Sequence, residues 1–110
     1  MGRSQRDAVT SNMIVVIKHL SKCLVQPEPI SGSWLGSIRE HRRRLAKDFG
    51  ESPSLRRHAR DQLPRAHVDA MEQAADEARL PRARFPSEVP FTLEEVCDKE
   101  WFPPEIADRL

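Results

Sequence analysis

The sequence contains no tyrosine, and aromatic residues make up only 5% of the chain. Proteins that bind single-stranded nucleic acid stack the bases on aromatic side chains, so surfaces of that kind are scarce here. The four glycines are scattered, which excludes a glycine-rich phosphate-binding loop. The longest apolar run, residues 13–17, is far shorter than a membrane span, and we expect no membrane interaction.

Cysteine is also rare, with Cys23 and Cys97 as the only two. Without a secretory signal pattern, they indicate free thiols in a reducing cytoplasm. His19 and Cys23 lie four residues apart on one predicted helix, a spacing that suits two metal ligands. Because the sequence has no CxxC, no HExxH and no second pair of this kind, a histidine beside a buried thiol is the preferred interpretation. We expect no metal and no cofactor.

Groups that would support catalysis are equally sparse. A hydrolase needs a nucleophile beside a base, and a third group that orients the base. Ser37 precedes His41 by four residues on a predicted helix, but no orienting group accompanies them. Glu94 and Glu95 are explained by the start of a short helix, where carboxylates are favourable. We therefore expect a non-enzymatic protein with no catalytic residues.

What the sequence does contain is charge, at 32% of residues, against 38% hydrophobic residues and a formal net charge of +1. At 110 residues the chain predicts one domain, residues 1–110. The charges are unevenly placed. Residues 39–60 hold eight Lys or Arg and three Asp or Glu, a net charge of +5, whereas residues 92–110 have a net charge of −4. The two regions are expected to attract each other.

Apolar spacing predicts two long amphipathic helices, at about residues 5–25 and 33–49. The first helix carries one broad stripe: Val9, Met13, Val16, Ile17, Leu20 and Leu24. The second carries a narrower stripe: Trp34, Ile38, Leu45 and Phe49, with Leu35 at its edge. Arg42 projects into this second stripe, so its head must reach water or meet a carboxylate. Gly50 is expected to end the second helix.

A third helix is predicted over residues 53–79, with Ser52 as its N-cap and Pro53 in its first turn. Pro64 removes a hydrogen bond and clashes with the preceding turn, so we expect a kink or break at residues 63–64. Beyond it, a thin face of small residues is predicted: Val68, Met71, Ala74, Ala75 and Ala78. A capping box of Thr92 and Glu95 begins a short helix over residues 93–99.

These patterns predict an all-α protein, an antiparallel bundle of three main helices with a kinked third helix and a short C-terminal helix. Ile14 and Val15 lie off the stripe of the first helix and need a further partner. We expect that partner to be a second copy, giving a homodimer, because two-fold symmetry is the commonest closed arrangement of soluble proteins. A cytoplasmic interaction or oligomerisation module is the preferred function.

The alternative function is nucleic-acid binding by a small protein. Seven basic residues could form a phosphate-contacting face on the second and third helices: Arg39, Arg43, Arg44, Lys47, Arg56, Arg57 and Arg60. A face that is solvated, or that pairs with the acidic tail, is the preferred interpretation of these residues, and contact with a protein partner is a further possibility. The helix pair also lacks the base-reading residues expected at the start of a recognition helix.

Four motifs, taken in order, resemble a bacterial family known only as domain of unknown function twenty-nine: IREHRRR at residues 38–44, SPSLRR at 52–57, FPSEVPFTLEEV at 85–96 and WFPPE at 101–105. The resemblance implies a small all-helical protein and no agreed activity. Members usually have a further helical segment before the part that residues 1–9 resemble, so the chain is expected to lack that segment. Where members tend to have a glycine before Leu80, this chain has Arg79, so the resemblance leaves this turn undefined.

Overall fold

The chain forms five α-helices around one hydrophobic core, as a computed structural model describes it for residues 3–26 and 30–110. The helices are α1 (Arg3–Val25), α2 (Gly32–Glu51), α3 (Ser54–Ala78), α4 (Leu93–Cys97) and α5 (Pro104–Ala107). A short 3-10 turn, Arg82–Arg84, lies between α3 and α4. The fold is all-α with three main helices, as the sequence predicts. The side chain of Arg3 lies outside the description.

Helix α1 is the central helix of the bundle. It contacts both α2 and α3 extensively, whereas α2 and α3 contact each other only slightly. The predicted stripe of α1 is confirmed, since five of its six members are fully buried: Val9, Met13, Val16, Ile17 and Leu20. Leu24 is half-buried and packs against the same core. The three main helices therefore form a layer with α1 in the middle.

The apolar face of α2 is buried through Ile38, Leu45 and Phe49, but its predicted first member lies at the edge. Trp34 is half-buried, with the Lys22 ammonium 4.7 Å from its ring centroid and the His19 ring beside it. The helix begins after Ser31, whose hydroxyl accepts a hydrogen bond from the N–H of Ser33. Trp34 thus covers the end of the core rather than filling its centre.

The connection between α2 and α3 differs from the prediction by one or two residues. Helix α2 continues through Gly50 to Glu51, and the N–H of Ser52 donates to the carbonyl of Asp48 at 2.9 Å. Pro53, rather than Ser52, is the N-cap residue of α3, and no side chain caps this helix. Proline already holds the backbone near helical φ, so the chain turns within two residues.

Helix α3 runs without interruption from Ser54 to Ala78, and the expected break at residues 63–64 is not seen. Pro64 is exposed, while its neighbours Leu63 and Ala66 are buried against the core. Burial on both sides of the proline keeps the buried faces of the two halves of α3 on the same side of the helix. Val68, predicted to be buried, is instead 46% exposed, because an unbroken helix turns it outward. Three other members of the predicted face, Met71, Ala74 and Ala75, are buried and Ala78 is half-buried; the buried face also includes Ala59, Ala66 and Ala70.

The segment after α3 returns across the layer and contributes buried side chains to the core. Thr92 and Glu95 form the predicted capping box, each side chain accepting from the other residue's N–H at 3.0 Å. Phe91 and Val96 are both buried, as expected for a hydrophobic staple. Helix α4 ends at Cys97, two residues before the predicted end, and the sequence reasoning did not predict α5, which buries Ile106.

Arg79 ends α3 in the left-handed conformation, with φ 56° and ψ 43°. Its N–H donates to the last turn of the helix, and the N–H of Leu80 donates to the carbonyl of Ala75 at 3.1 Å. This is the helix ending that glycine favours, because a Cβ is crowded at positive φ. The turn that the sequence left undefined is therefore glycine-like in shape despite its arginine.

Residues 4–25 are long and apolar enough, by length and composition, to cross a membrane. The longest uninterrupted apolar run, residues 13–17, had suggested that the chain has no membrane-spanning segment, because that run covers only part of α1. In the structure the most apolar side chains of α1 are the core of the bundle. A central helix of a bundle meets the same criterion of length and composition, so the feature does not distinguish the two settings.

Candidate functional site: the basic face of α2 and α3

The seven basic residues singled out in the sequence are all exposed on the structure. Helix α2 presents four of them, and the first two turns of α3 present the others. These residues line three open surface depressions rather than one groove. Arg39 and Arg43 line the first, Arg56, Arg57 and Arg60 line the second, and Arg43, Arg44 and Lys47 line the third.

Two of the basic residues on α2 are bound to one carboxylate, that of Glu40. Arg43 donates two hydrogen bonds to it, at 3.0 and 2.8 Å, and Arg44 donates one at 3.0 Å. The hydrogen bonds from Arg43 and Arg44 lower the pKa of Glu40 to about 2. Glu40 and Arg44 thus form an ion pair four residues apart on the helix, and Glu40 offsets part of the positive charge of this face.

Two basic residues on α3 are also engaged within the chain. Arg60 donates to Glu94 at 2.7 Å, which is one contact between the basic region and the acidic C-terminal region. Its hydrogen bond lowers the pKa of Glu94. The guanidinium of Arg56 lies over the ring of Phe49, 4.8 Å from the centroid. Such contacts favour the interpretation of a solvated, internally paired face.

Three basic residues remain open to a partner. Within residues 3–26 and 30–110, Arg39, Lys47 and Arg57 form no ion pair. Arg39 lies beside Lys99 and Phe102 of the C-terminal segment, in the first depression. The sequence reasoning did not connect these residues, although the motif at 101–105 had drawn attention to that segment. Their proximity depends on a contact between α2 and residues about sixty positions later.

Arg42 is fully buried, and its partners differ from both predicted possibilities. Its guanidinium neither reaches water nor meets a carboxylate. It donates to three main-chain carbonyls: Glu95 at 3.0 Å, Val96 at 2.9 Å and Trp101 at 2.7 Å. Burial lowers the pKa of Arg42 to about 10, so the side chain remains protonated at neutral pH. Arg42 thus fastens the C-terminal segment to the bundle.

The residues proposed for self-association, Ile14 and Val15, are half-buried. Ile14 packs against the hydrophobic core from its edge. The two therefore do not form a fully exposed aliphatic row. Nearby, Lys18 and Lys22 both bind Glu77 of α3 at 3.0 Å. These long side chains cover part of the α1 surface that lies opposite the core.

His19 and the two cysteines are held in their neutral forms. Burial, followed by the charges of Lys18 and Lys22, lowers the pKa of His19 to about 4. Burial raises the pKa of the Cys97 thiol to about 11 and also raises the pKa of Cys23. In the described part of the chain, no three His, Cys, Asp or Glu side chains are grouped as metal ligands would be. His19 and Cys23 therefore have no third ligand among those residues.

Comparison with known proteins gives one finding. The family model described as "Domain of unknown function DUF29" matches residues 1–102, nearly the whole chain. No curated protein and no solved structure matches. The match covers the three main helices, the capping box and Arg42 with its three carbonyl partners. It ends before α5.

Proposed function

We propose that this chain, which belongs to the DUF29 family, is a non-enzymatic interaction module that self-associates through α1. The same proposal includes a cytoplasmic location, which the two free thiols support. The observation that carries it is the layered arrangement of the three main helices. Because α2 and α3 contact each other only slightly, they leave Ile14 and Val15 of α1 half-buried.

Helical positions show where these two side chains lie. At 100° per residue, Val15 is opposite the buried stripe that contains Val16 and Leu20, whereas Ile14 lies at the edge of the core. No residue of α1 from 12 to 25 is fully exposed, yet the side chains of Ile14 and Val15 are only half-buried. A partner helix packed here buries the rest of both side chains.

The position of these side chains favours a second copy as the partner. Ile14 and Val15 lie at the middle of α1, which runs from Arg3 to Val25. Two copies related by a two-fold axis near Ile14 run antiparallel, and their aliphatic residues meet at the axis.

A non-enzymatic role is supported by the surroundings of the reactive groups. Both thiols have raised pKa values and are poor nucleophiles at neutral pH. The surface depressions are open and bordered by charged residues, whereas active sites are enclosed and largely apolar. A binding role, unlike a catalytic role, requires neither an activated nucleophile nor an enclosed pocket on this surface.

Self-association is tested by light scattering at micromolar concentration. We expect the parent chain to be a dimer and the Ile14→Glu, Val15→Lys double variant to be a folded monomer by circular dichroism. The matched control, Ala46→Glu with Ala83→Lys, introduces the same two charges at exposed positions elsewhere and should remain a dimer. A monomeric parent, or a double variant that stays dimeric, would contradict the proposal.

Nucleic-acid binding is the second candidate function, and one observation favours it. Arg57 has no ion pair among the residues described, and it lies with Arg56 and Arg60 in an open depression at the start of α3. Binding of this kind should weaken steeply with salt and be lost when Arg43, Arg44 and Arg57 are changed to Glu. Retention of binding by that triple variant would argue against this face as the contact.

A further inference from the structure

A separate surface site lies where the C-terminal segment crosses α2. A depression of about 320 Å³ is lined by Arg39, Arg43, Lys99, Glu100 and Phe102. Its volume is at the lower end of the range for ligand sites, roughly 300 to 1,000 Å³. It opens to solvent between a helix and an extended segment. A depression of this size accommodates one or two side chains of a partner.

A buried positive charge lies behind the aromatic wall of this depression. The guanidinium of Arg42 is 5.2 Å from the ring centroid of Phe102, and Arg42 is fully buried. Its three hydrogen-bond acceptors are main-chain carbonyls, which carry no net charge. Asp98 attracts Arg42 through space without forming an ion pair with it. Buried charges are normally paired, so this one leaves a local excess of positive potential.

The rim of the depression adds to that excess. Arg43 is bound to Glu40, but Arg39 and Lys99 form no ion pair in the part of the chain that the structure describes. Glu100 is the single acidic residue among the five that line the depression. With Arg42 behind the ring, cations outnumber acids, and the depression favours a negatively charged group placed next to an apolar one.

We propose that this depression binds an acidic peptide segment of a protein partner. One carboxylate contacts Arg39, whose planar guanidinium accommodates both carboxylate oxygens, and another contacts Lys99. An apolar side chain of the segment covers the ring of Phe102. Glu100 accepts a main-chain N–H of the segment, a donor that a phosphodiester lacks, so a peptide fits better than a nucleic acid strand. The site does not depend on self-association through α1.

The 110-residue chain, labelled with ¹⁵N, tests the proposal in an NMR titration at 100 mM salt. The probe is a peptide of six glutamates around one phenylalanine. We expect shifts of the amides of Arg39 and residues 99–102, and weaker binding when glycine replaces the phenylalanine. The variant Arg39→Glu with Lys99→Glu should bind at least about tenfold more weakly, because two charge-assisted contacts are lost. If the charge-reversed variant does not fold, Arg39→Gln with Lys99→Gln replaces it in the titration, because it removes both positive charges without adding negative ones.

The matched control is Lys47→Glu with Arg57→Glu, which changes the net charge equally at positions outside the depression. It should weaken binding less than the site variant does. Absence of shifts at the depression, or equal weakening by both variants, would overturn the proposal. So would a twelve-nucleotide thymidine strand that shifts the same amides and binds more tightly than the glutamate peptide, because the site would then be one for nucleic acid.

Discussion

The inner and outer faces of α2 place consecutive arginines in opposite settings. On the inner face Arg42 is fully buried and donates to three carbonyls of the C-terminal segment. On the outer face Arg43 and Arg44 are exposed and share the carboxylate of Glu40. The inner arginine joins residues more than fifty positions apart, whereas the outer pair joins residues three or four apart.

This difference shows that charge pairing and structural importance are separate properties. The outer arginines have an ideal acidic partner, yet exposed pairs contribute little to stability because water screens them and ordering the side chains costs entropy. Arg42 has no acidic partner among the described residues, but its side chain is fully buried and its three hydrogen bonds are buried or partly buried, so the carbonyls that lose this donor are destabilised. The residue without an ion pair should therefore matter more for folding.

The strongest test of the comparison is Arg42→Ala. We expect the free energy of unfolding to fall by about 3 kcal/mol or more, because three carbonyls, one in a buried contact and two in partly buried contacts, lose a donor at about 1 to 3 kcal/mol each. Urea denaturation measures the loss, and the fluorescence of Trp101 reports release of the C-terminal segment. Arg42→Lys should recover only part of the stability, since an ammonium cannot reproduce the planar fork.

Arg43→Ala is the matched control for that experiment, because it removes the same side chain from the adjacent position. It should leave the urea midpoint unchanged within error. If Arg43→Ala destabilised the chain as much as Arg42→Ala does, the distinction between the two faces of α2 would be wrong.

Arg79 adds a third case, because its side chain is exposed but its backbone is held in the left-handed conformation. We expect Arg79→Gly to raise the free energy of unfolding by about 0.5 to 1 kcal/mol. The left-handed conformation costs a residue with a Cβ roughly 1 to 2 kcal/mol, and the greater freedom of glycine in the unfolded chain offsets part of the gain. Thermal denaturation measures it. Arg79→Ala, which keeps the Cβ, should give no such gain.

Glu77 is an intermediate case, with two well-buried lysine partners and a side chain that is 43% exposed. Burial opposes its ionisation, but hydrogen bonds from Lys22 and Lys18 outweigh burial and lower the pKa of Glu77 below 4.5. Because the folded pKa is the lower one, the stabilisation is complete above pH 4.5 and is lost as the pH falls through the folded pKa. We expect it to be about 0.5 kcal/mol after screening.

Urea denaturation between pH 7 and pH 3 measures the contribution of ionised Glu77 to stability, with Glu77→Gln as the reference that cannot ionise. The difference in stability between parent and variant should shrink as the pH falls. A difference that stayed constant over this range would show that the two lysines do not stabilise the carboxylate.

The sequence predicted the elements that depend on local spacing. The buried stripe of α1 and the capping box of Thr92 and Glu95 follow from residues within a few turns of each other. The expected break at Pro64 is not seen, because burial of α3 against α1 on both sides of the proline maintains one helix. That burial is a tertiary effect, and the local proline rule does not include it.

The candidate site was less predictable for the same reason. The sequence identified every exposed arginine of α2, but not that Glu40 engages two of them while Arg39 stays open beside Lys99. The placement of Arg42 in an apolar stripe correctly marked it as unusual. Its partners could not be inferred, since main-chain carbonyls are present at every residue and give no compositional pattern.

The last prediction concerns the outer face alone and involves the smallest change in stability. Glu40 accepts hydrogen bonds from Arg43 and Arg44, which lower its pKa to about 2. In ¹³C NMR titrations, Arg43→Ala should raise the pKa of Glu40 more than Arg44→Ala does, because Arg43 donates two of the three bonds. Neither variant should change the urea midpoint at pH 7 beyond error, because water screens these exposed pairs. Equal shifts from the two variants would show that the two-bond contact of Arg43 does not persist in solution, and that the outer arginines act only as a diffuse positive field.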